Sequence, residues 1–258
     1  MTNAHRRAPG RAPRRKVSAA TGLLVLVATL AVAPAAMAEG KPKGEFANFT
    51  NCPLGVVNVN ECLYSKAGSG ELVFGTMTIP ITSAITLQGG LIVSEKEETF
   101  VEATEGKTLS KTPEEVTGGF ESKPLTATLE LVGSVAVSRK KLTAEEGAAL
   151  TLPVRAHLKG ANLGEGCFVG SSAKPIALDL TTGATSPPPP NKPIKGTRGT
   201  IEVKEEETLE IFKGDSLVEN AFSVPARAVV EAPSKTSSTR SSTRSSACRR
   251  LPVTARRS

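Results

Sequence analysis

A chain of 258 residues with a formal net charge of +7 is long enough for one or two domains. No Trp, one Tyr, eight Phe and two His exclude a zinc site built from several histidines and a broad aromatic platform for sugars or bases. The basic charge sits at the ends, six Lys and Arg in residues 1–38 and seven in 232–258 with no acid in either, so the stretch between them is acidic and a nucleic-acid face on it is not supported.

Residues 1–38 read as a secretory signal. Arg6, Arg7, Arg11, Arg14, Arg15 and Lys16 precede an apolar stretch from about Ala19 to Ala33. That stretch ends at Ala36-Met37-Ala38, which predicts cleavage between Ala38 and Glu39. It is shorter than the roughly 20 residues of a membrane span, and no second apolar run of that length follows, so the mature chain is expected to have no transmembrane span. An uncleaved anchor is the alternative. Val17-Ser18 after Arg14-Arg15 fit twin-arginine export poorly, and no Cys follows Ala38 to carry a lipid. The expected location is secreted or cell envelope.

An oxidising compartment makes disulfides the default for Cys52, Cys62, Cys167 and Cys248. Cys52 and Cys62 flank a short loop containing Pro53, Gly55, Asn58 and Asn60 and are the expected local pair. Cys167 is then free or joined to Cys248.

Residues 39–231 read as one all-β domain, a sandwich or open barrel of about nine or ten short strands. The clearest is Leu150 to Leu158, where Leu150, Leu152, Val154, Ala156 and Leu158 alternate with Thr151, Arg155 and His157. Pro153 predicts an edge position or a bulge there. Leu125–Val132 alternates similarly, as do Ile176, Leu178 and Leu180. Further strands are expected at Glu71–Ile81, Thr86–Val93, Thr99–Ala103, Thr200–Val203, Thr208–Phe212 and Val218–Val224. Gly89-Gly90, Gly118-Gly119, Lys159-Gly160 and Lys213-Gly214-Asp215 are read as turns. Thr112-Pro-Glu-Glu115 and Thr143-Ala-Glu-Glu146 resemble capping boxes and predict single helical turns.

Pro187–Pro190 is a stiff polyproline segment, read as a crossover within one domain rather than a spacer between two. After Val230 the chain becomes low-complexity and rich in Ser, Thr and Arg. Residues 232–258 are expected to be disordered. The abrupt gain of Arg, Ala, Pro and Ser fits an end read in a shifted frame, with a genuine wall-binding tail as the alternative. A shifted frame would cost the sheet a final strand and leave Cys167 without its proper partner.

No catalytic, cofactor or metal-binding residues are assigned. The cysteine spacings are not those of zinc sites, and the motifs of serine hydrolases, zinc proteases and phosphate loops are absent. His157 is the one histidine after the signal and is read as a solvated strand residue, so Cys167 has no assembled base. The acid runs at Glu95–Glu98 and Glu205–Glu207 match no calcium loop and are read as solvated charge. Asn48-Phe-Thr50 fits a glycosylation sequon. Leu251–Ala255 has the outline of a sortase signal but lacks the apolar stretch that should follow.

Several segments carry a resemblance: Phe46–Pro53 with Cys62, Val73–Thr76, Ile79–Ile81, Leu87–Gly90, Thr181–Gly183 through Ser186–Pro193, and Ser216–Pro225. In these the chain resembles uncharacterised exported β-rich proteins of high-GC Gram-positive bacteria, soil actinobacteria above all. The resemblance implies export and a mostly β fold, and brings no activity or site residues. The resembling proteins continue after Val-Pro with a β segment containing Gly and Cys, where this chain turns to Ala226-Arg-Ala-Val.

The expectation is therefore a non-catalytic exported protein acting by surface contact, with a cell-wall or other extracellular polymer as partner class. The alternative is an extracellular hydrolase using paired carboxylates. A binder of anionic polymers would rest on the basic tail alone.

Overall fold

The computed structural model describes residues 42–75, 77–95, 97–110, 112–118, 124–160, 163, 166–204 and 208–224, and only the backbone course of 24–31 and 229–230. In chain order the strands are β1 (Leu24–Ala31), β2 (Glu61–Ala67), β3 (Gly70–Phe74), β4 (Met77–Ile81), β5 (Ile85–Val93), β6 (Glu98–Glu102), β7 (Glu114–Glu115), β8 (Leu125–Leu131), β9 (Ala136–Val137), β10 (Leu150–Gly160), β11 (Cys167–Val169), β12 (Ile176–Leu180), β13 (Thr200–Lys204), β14 (Leu209–Lys213), β15 (Asp215–Leu217) and β16 (Val229–Val230). One α-helix, α1 (Arg139–Ala144), and 3₁₀ turns at Gly44–Phe49 and Thr104–Gly106 complete the described elements. No helix among the described residues is long and apolar enough to cross a membrane.

Two antiparallel sheets and a separate hairpin result, none closed into a barrel. The first sheet has the order β13-β14-β1-β2-β5-β6, with β15 also on β1. The second runs β16-β11-β10-β8-β7, with β9 and β12 also on β10. The hairpin is β3–β4. One core lies between the sheets, with Leu63, Leu87, Leu91, Phe212 and Leu217 from the first meeting the even-numbered face of β10 and Ile176, Leu178 and Leu180 from the second. The all-β open architecture is thus as its alternation predicts: β10 buries Leu150, Leu152, Val154, Ala156 and Leu158 in strict period two.

Several local readings are corrected. Glu71–Ile81 is a hairpin, turning at Gly75 with φ 63°. Its buried residues on both arms, Leu72, Phe74, Met77, Ile79 and Ile81, kept the pattern running across the turn. Gly89 and Gly90 lie inside β5, because neighbouring groups leave no room for a side chain. A Cβ on Gly89 would stand 2.4 Å from the Val101 carbonyl oxygen, and one on Gly90 2.7 Å from Val59. Of Val218–Val224, only Val218 is paired, bridging Thr181, and the strand lies earlier, at β15. Thr112–Glu115 forms no helical turn. Glu114 enters β7 instead, and its buried carboxylate accepts from the Thr82 hydroxyl and from the Ser83 N–H at 2.8 Å. Burial pushes that carboxyl up, but these bonds outweigh it and hold it below its ordinary range.

The second capping box also fails. Helix α1 starts earlier, capped by Ser138, and it ends before Glu145, which is left-handed at φ 58°. Pro153 is interior rather than at an edge, since β10 has partners on both sides. Its missing N–H points to the gap where β8 gives way to β9, while its carbonyl accepts from Val132 N–H at 2.9 Å. The polyproline segment folds back on itself. Thr185 N–H donates to the Ile194 carbonyl at 2.8 Å, and Ile194 N–H donates to the Thr185 hydroxyl at 2.9 Å.

Cys52 and Cys62 are disulfide-bonded, with 5.6 Å between their Cα atoms. The bond pins the 3₁₀ turn of Phe46 and Phe49 against Leu209, Ile211 and Tyr64 in a second small core on the outer face of the first sheet. Peptide mapping under non-reducing conditions should recover the two cysteines linked. A C52S/C62S double variant should lose about 2–3 kcal/mol in urea unfolding, the entropy of closing so short a loop. Cys167 is also disulfide-bonded, with its partner outside the described residues. The cleavage pair Ala38 and Glu39 and the tail 232–258 lie outside the described residues too.

Candidate functional site

An apolar cavity of about 730 Å³ lies between the sheets. Four strands and the hairpin line it. Leu150, Leu152 and Val154 of β10 and Leu178 and Leu180 of β12 form one wall, and Ile85 and Leu87 of β5 with Ala67 of β2 form the other. Leu72 and Phe74 of the hairpin close the side. The volume is that of a site for a drug-sized ligand. The exposed liners Glu71, Pro190 and Lys192 mark where the cavity meets solvent.

A few polar groups interrupt this apolar lining. The Ser65 hydroxyl is buried and has no hydrogen-bond partner, and the same holds for Asn220 Oδ1, although Asn220 Nδ2 donates to the Lys192 carbonyl at 2.9 Å. Glu219 stands beside Asn220. Burial pushes its carboxyl up from the ordinary range, the Ala221 N–H pulls it back, and the charge of Asp179 raises it further. Buried polar atoms are normally paired. Here two unpaired ones line a cavity, which is the arrangement of a pocket that takes a mostly apolar molecule with one polar end.

The acids gather elsewhere. Arg139, the first residue of α1, holds Glu98 Oε1 through Nε at 2.5 Å and Glu61 Oε2 through Nη1 at 3.0 Å. Glu210 stands 3.8 Å away, and the Arg139 backbone N–H also donates to Glu98 at 2.9 Å. Burial pushes the Glu61 carboxyl up, Arg139 opposes this, and Glu210 and Glu98 add to the rise. One guanidinium thus holds Glu61 and Glu98 together, with Glu210 close by.

His157 is not the solvated residue its polar strand face implied. Its ring stacks on Phe168 at 4.4 Å, and Nδ1 lies 3.2 Å from Glu130. Arg155 grips the same Glu130 at 2.9 Å and lies 4.0 Å over the Phe168 ring. The cluster ties β8, β10 and β11 together on the outer face of the second sheet. Cys167 is wholly buried and held in its disulfide, so it offers His157 no thiolate. Glu98 of the first acid run is engaged by Arg139, and Glu205–Glu207 lie outside the described residues. Among the described residues, no group of three His, Cys, Asp or Glu is placed to hold a metal ion.

The sequence reading missed the cavity altogether. Its lining is ordinary core residues, and nothing in their alternation separates a filled core from a hollow one. The one available signal was the polar run Glu219-Asn220 set in an apolar stretch. The chain matches no protein-family model, no curated protein and no solved structure.

Proposed function

We propose that this chain is an exported, non-catalytic β-sandwich protein that works by binding, and that its ligand is an extended apolar or amphipathic small molecule held between the sheets. The observation that carries the reading is the 730 Å³ apolar cavity with the unpaired Ser65 hydroxyl and Asn220 Oδ1 in its lining. Export is supported by the N-terminal pattern ending at Ala38 and by the Cys52–Cys62 bond, which suits an oxidising compartment. The hydrolase alternative draws on Glu61, Glu98 and Glu210, but their shared arginine gives them a structural task.

A series of fatty acids and isoprenoid alcohols of graded chain length tests the reading by thermal shift and native mass spectrometry. One-to-one binding is expected, with stabilisation of about 2.7 kcal/mol at a ligand concentration 100 times Kd. Leu178→Trp should fill the cavity, abolish binding and leave the melting temperature unchanged or higher. No binding by any member, or equal binding by the Trp variant, defeats the proposal.

A further inference from the structure

The polar groups in the cavity lining are not equivalent, and their orientation bears on the head of the ligand. Glu219, Asn220, Phe222 and Val224 come from a segment without regular structure and line the cavity together with Pro190 and Lys192 of the crossover. Asn220 is half-buried and bridges the two segments, its Nδ2 donating to the Lys192 carbonyl at 2.9 Å. A carbonyl oxygen only accepts, so this bond fixes which way the amide faces. The atom left over is Oδ1, an acceptor, buried and without a hydrogen-bond partner among the described residues.

An acceptor held in this way calls for a donor. A hydroxyl head supplies one, whereas an ionised carboxylate has none and would set oxygen against oxygen. Charge points the same way: Glu71 and Glu219 bring two carboxylates to the lining, and Lys192 one ammonium. Lys192 is exposed, so its pairing with an acid head would take place in water and be worth little. A buried acceptor left unpaired is the larger loss. The Ser65 hydroxyl, the other unpaired group, lies on the core face of β2 between the buried Leu63 and Ala67. A hydroxyl both donates and accepts, so Ser65 does not tell an alcohol from an acid. The exposed Glu71 and Lys192 mark the opening, and a polar head stays by the opening because burying it deeper costs its hydration. That places the head beside Asn220.

We propose that Asn220 is the selectivity-determining residue of the cavity and that the ligand is a neutral long-chain alcohol, its hydroxyl donating to Asn220 Oδ1 and its tail lying against Leu152, Leu178 and Leu180. The inference rests on the cavity being a binding site, as proposed above, and adds the chemistry of the head it accepts. Fatty-acid anions of the same length are the disfavoured class. The selection is made by one oriented acceptor, so it concerns the head of the ligand and is independent of the fit of its tail.

The test compares myristyl alcohol, its methyl ether and myristic acid on the full chain at about pH 8, where the free acid is ionised. Native mass spectrometry reads the Kd of each one-to-one complex. The alcohol should bind at least about tenfold more tightly than either the ether, which lacks the donor, or the acid. Asn220→Leu should bring alcohol and ether to within about twofold of each other, and Ser65→Ala should leave the preference at its original size. Equal binding of all three by the unaltered chain overturns the proposal while leaving the cavity a binding site. Binding of none overturns both. An ether as tight as the alcohol, with only the acid weak, assigns the selection to charge and overturns the role of Asn220. So does a preference lost in Ser65→Ala but kept in Asn220→Leu, which would move the head to Ser65. Should Asn220→Leu fail to fold, the alcohol-to-ether ratio of the unaltered chain decides.

Discussion

Replacing Arg139 with alanine should lower stability by about 2–4 kcal/mol near pH 7. The guanidinium neutralises Glu61 and Glu98 with Glu210 close by, and all but Glu210 are largely buried. Removing one partner strands the carboxylates next to one another, which is worse than never having had the pair. Alanine keeps α1, whose cap is the Ser138 hydroxyl rather than Arg139. Arg139→Lys should fall in between, because it restores a charge without the fork that reaches two carboxylates.

The pH dependence gives the sign. The Glu61 carboxyl is already raised, chiefly by burial. Its contribution to stability is full below its unfolded value near 4.5 and is lost as pH rises through the folded value. Without Arg139 the rise is larger, so the deficit of the variant should be greatest at neutral pH and shrink toward pH 4. Urea unfolding at pH 4, 5.5 and 7 measures it. A deficit independent of pH would mean that Arg139 acts through packing, not charge.

Gly183→Ala should cost about 3 kcal/mol or more, the upper range for forcing atoms into a closed space. A Cβ there would lie 1.9 Å from the Glu145 carbonyl oxygen and 2.6 Å from its carbon. These are backbone atoms of the left-handed residue that ends α1, so no side chain can swing aside. The neighbouring Thr182 hydroxyl donates to the Leu142 carbonyl at 2.8 Å and fixes the same helix end. Thr182→Val should cost about 1 kcal/mol by losing that bond alone. Gly68→Ala, with nothing within 4 Å of the new atom, is the control and should change stability by less than about 0.5 kcal/mol. Equal effects at Gly183 and Gly68 would show that the helix end yields.

The site was less legible than the fold. Glu61, Glu98, Arg139 and Glu210 are spread over 150 positions, and the sequence gives no reason to group them. In the sequence His157 reads as a polar strand residue. What ties it down is Phe168 on β11, a strand that the short run Cys167–Val169 did not announce. Strand β2 was missed for a similar reason. Ser65 and Lys66 break its apolar character, and its pairing with β5 through seven register positions decided the matter.

Alternation by itself determined that this is an all-β architecture, since period two over Leu150–Leu158 and Ile176–Leu180 can bury only one face of a strand, while the pairing of the strands decided that no sheet closes. The short loop and the expectation of an oxidising compartment were enough to pair Cys52 with Cys62. Only tertiary contacts decided what the glycines do: Gly89 and Gly90 read as a turn until Phe100, Val101, Val59 and Pro53 pack against them. The same holds for Leu24–Ala31. An unbroken apolar run has the same composition whether it is the core of an export signal or a strand buried at the centre of a sheet, and hydropathy cannot separate the two. The structure adds that this run lies between two strand edges, β2 on one side and β14–β15 on the other, whose backbone groups it pairs.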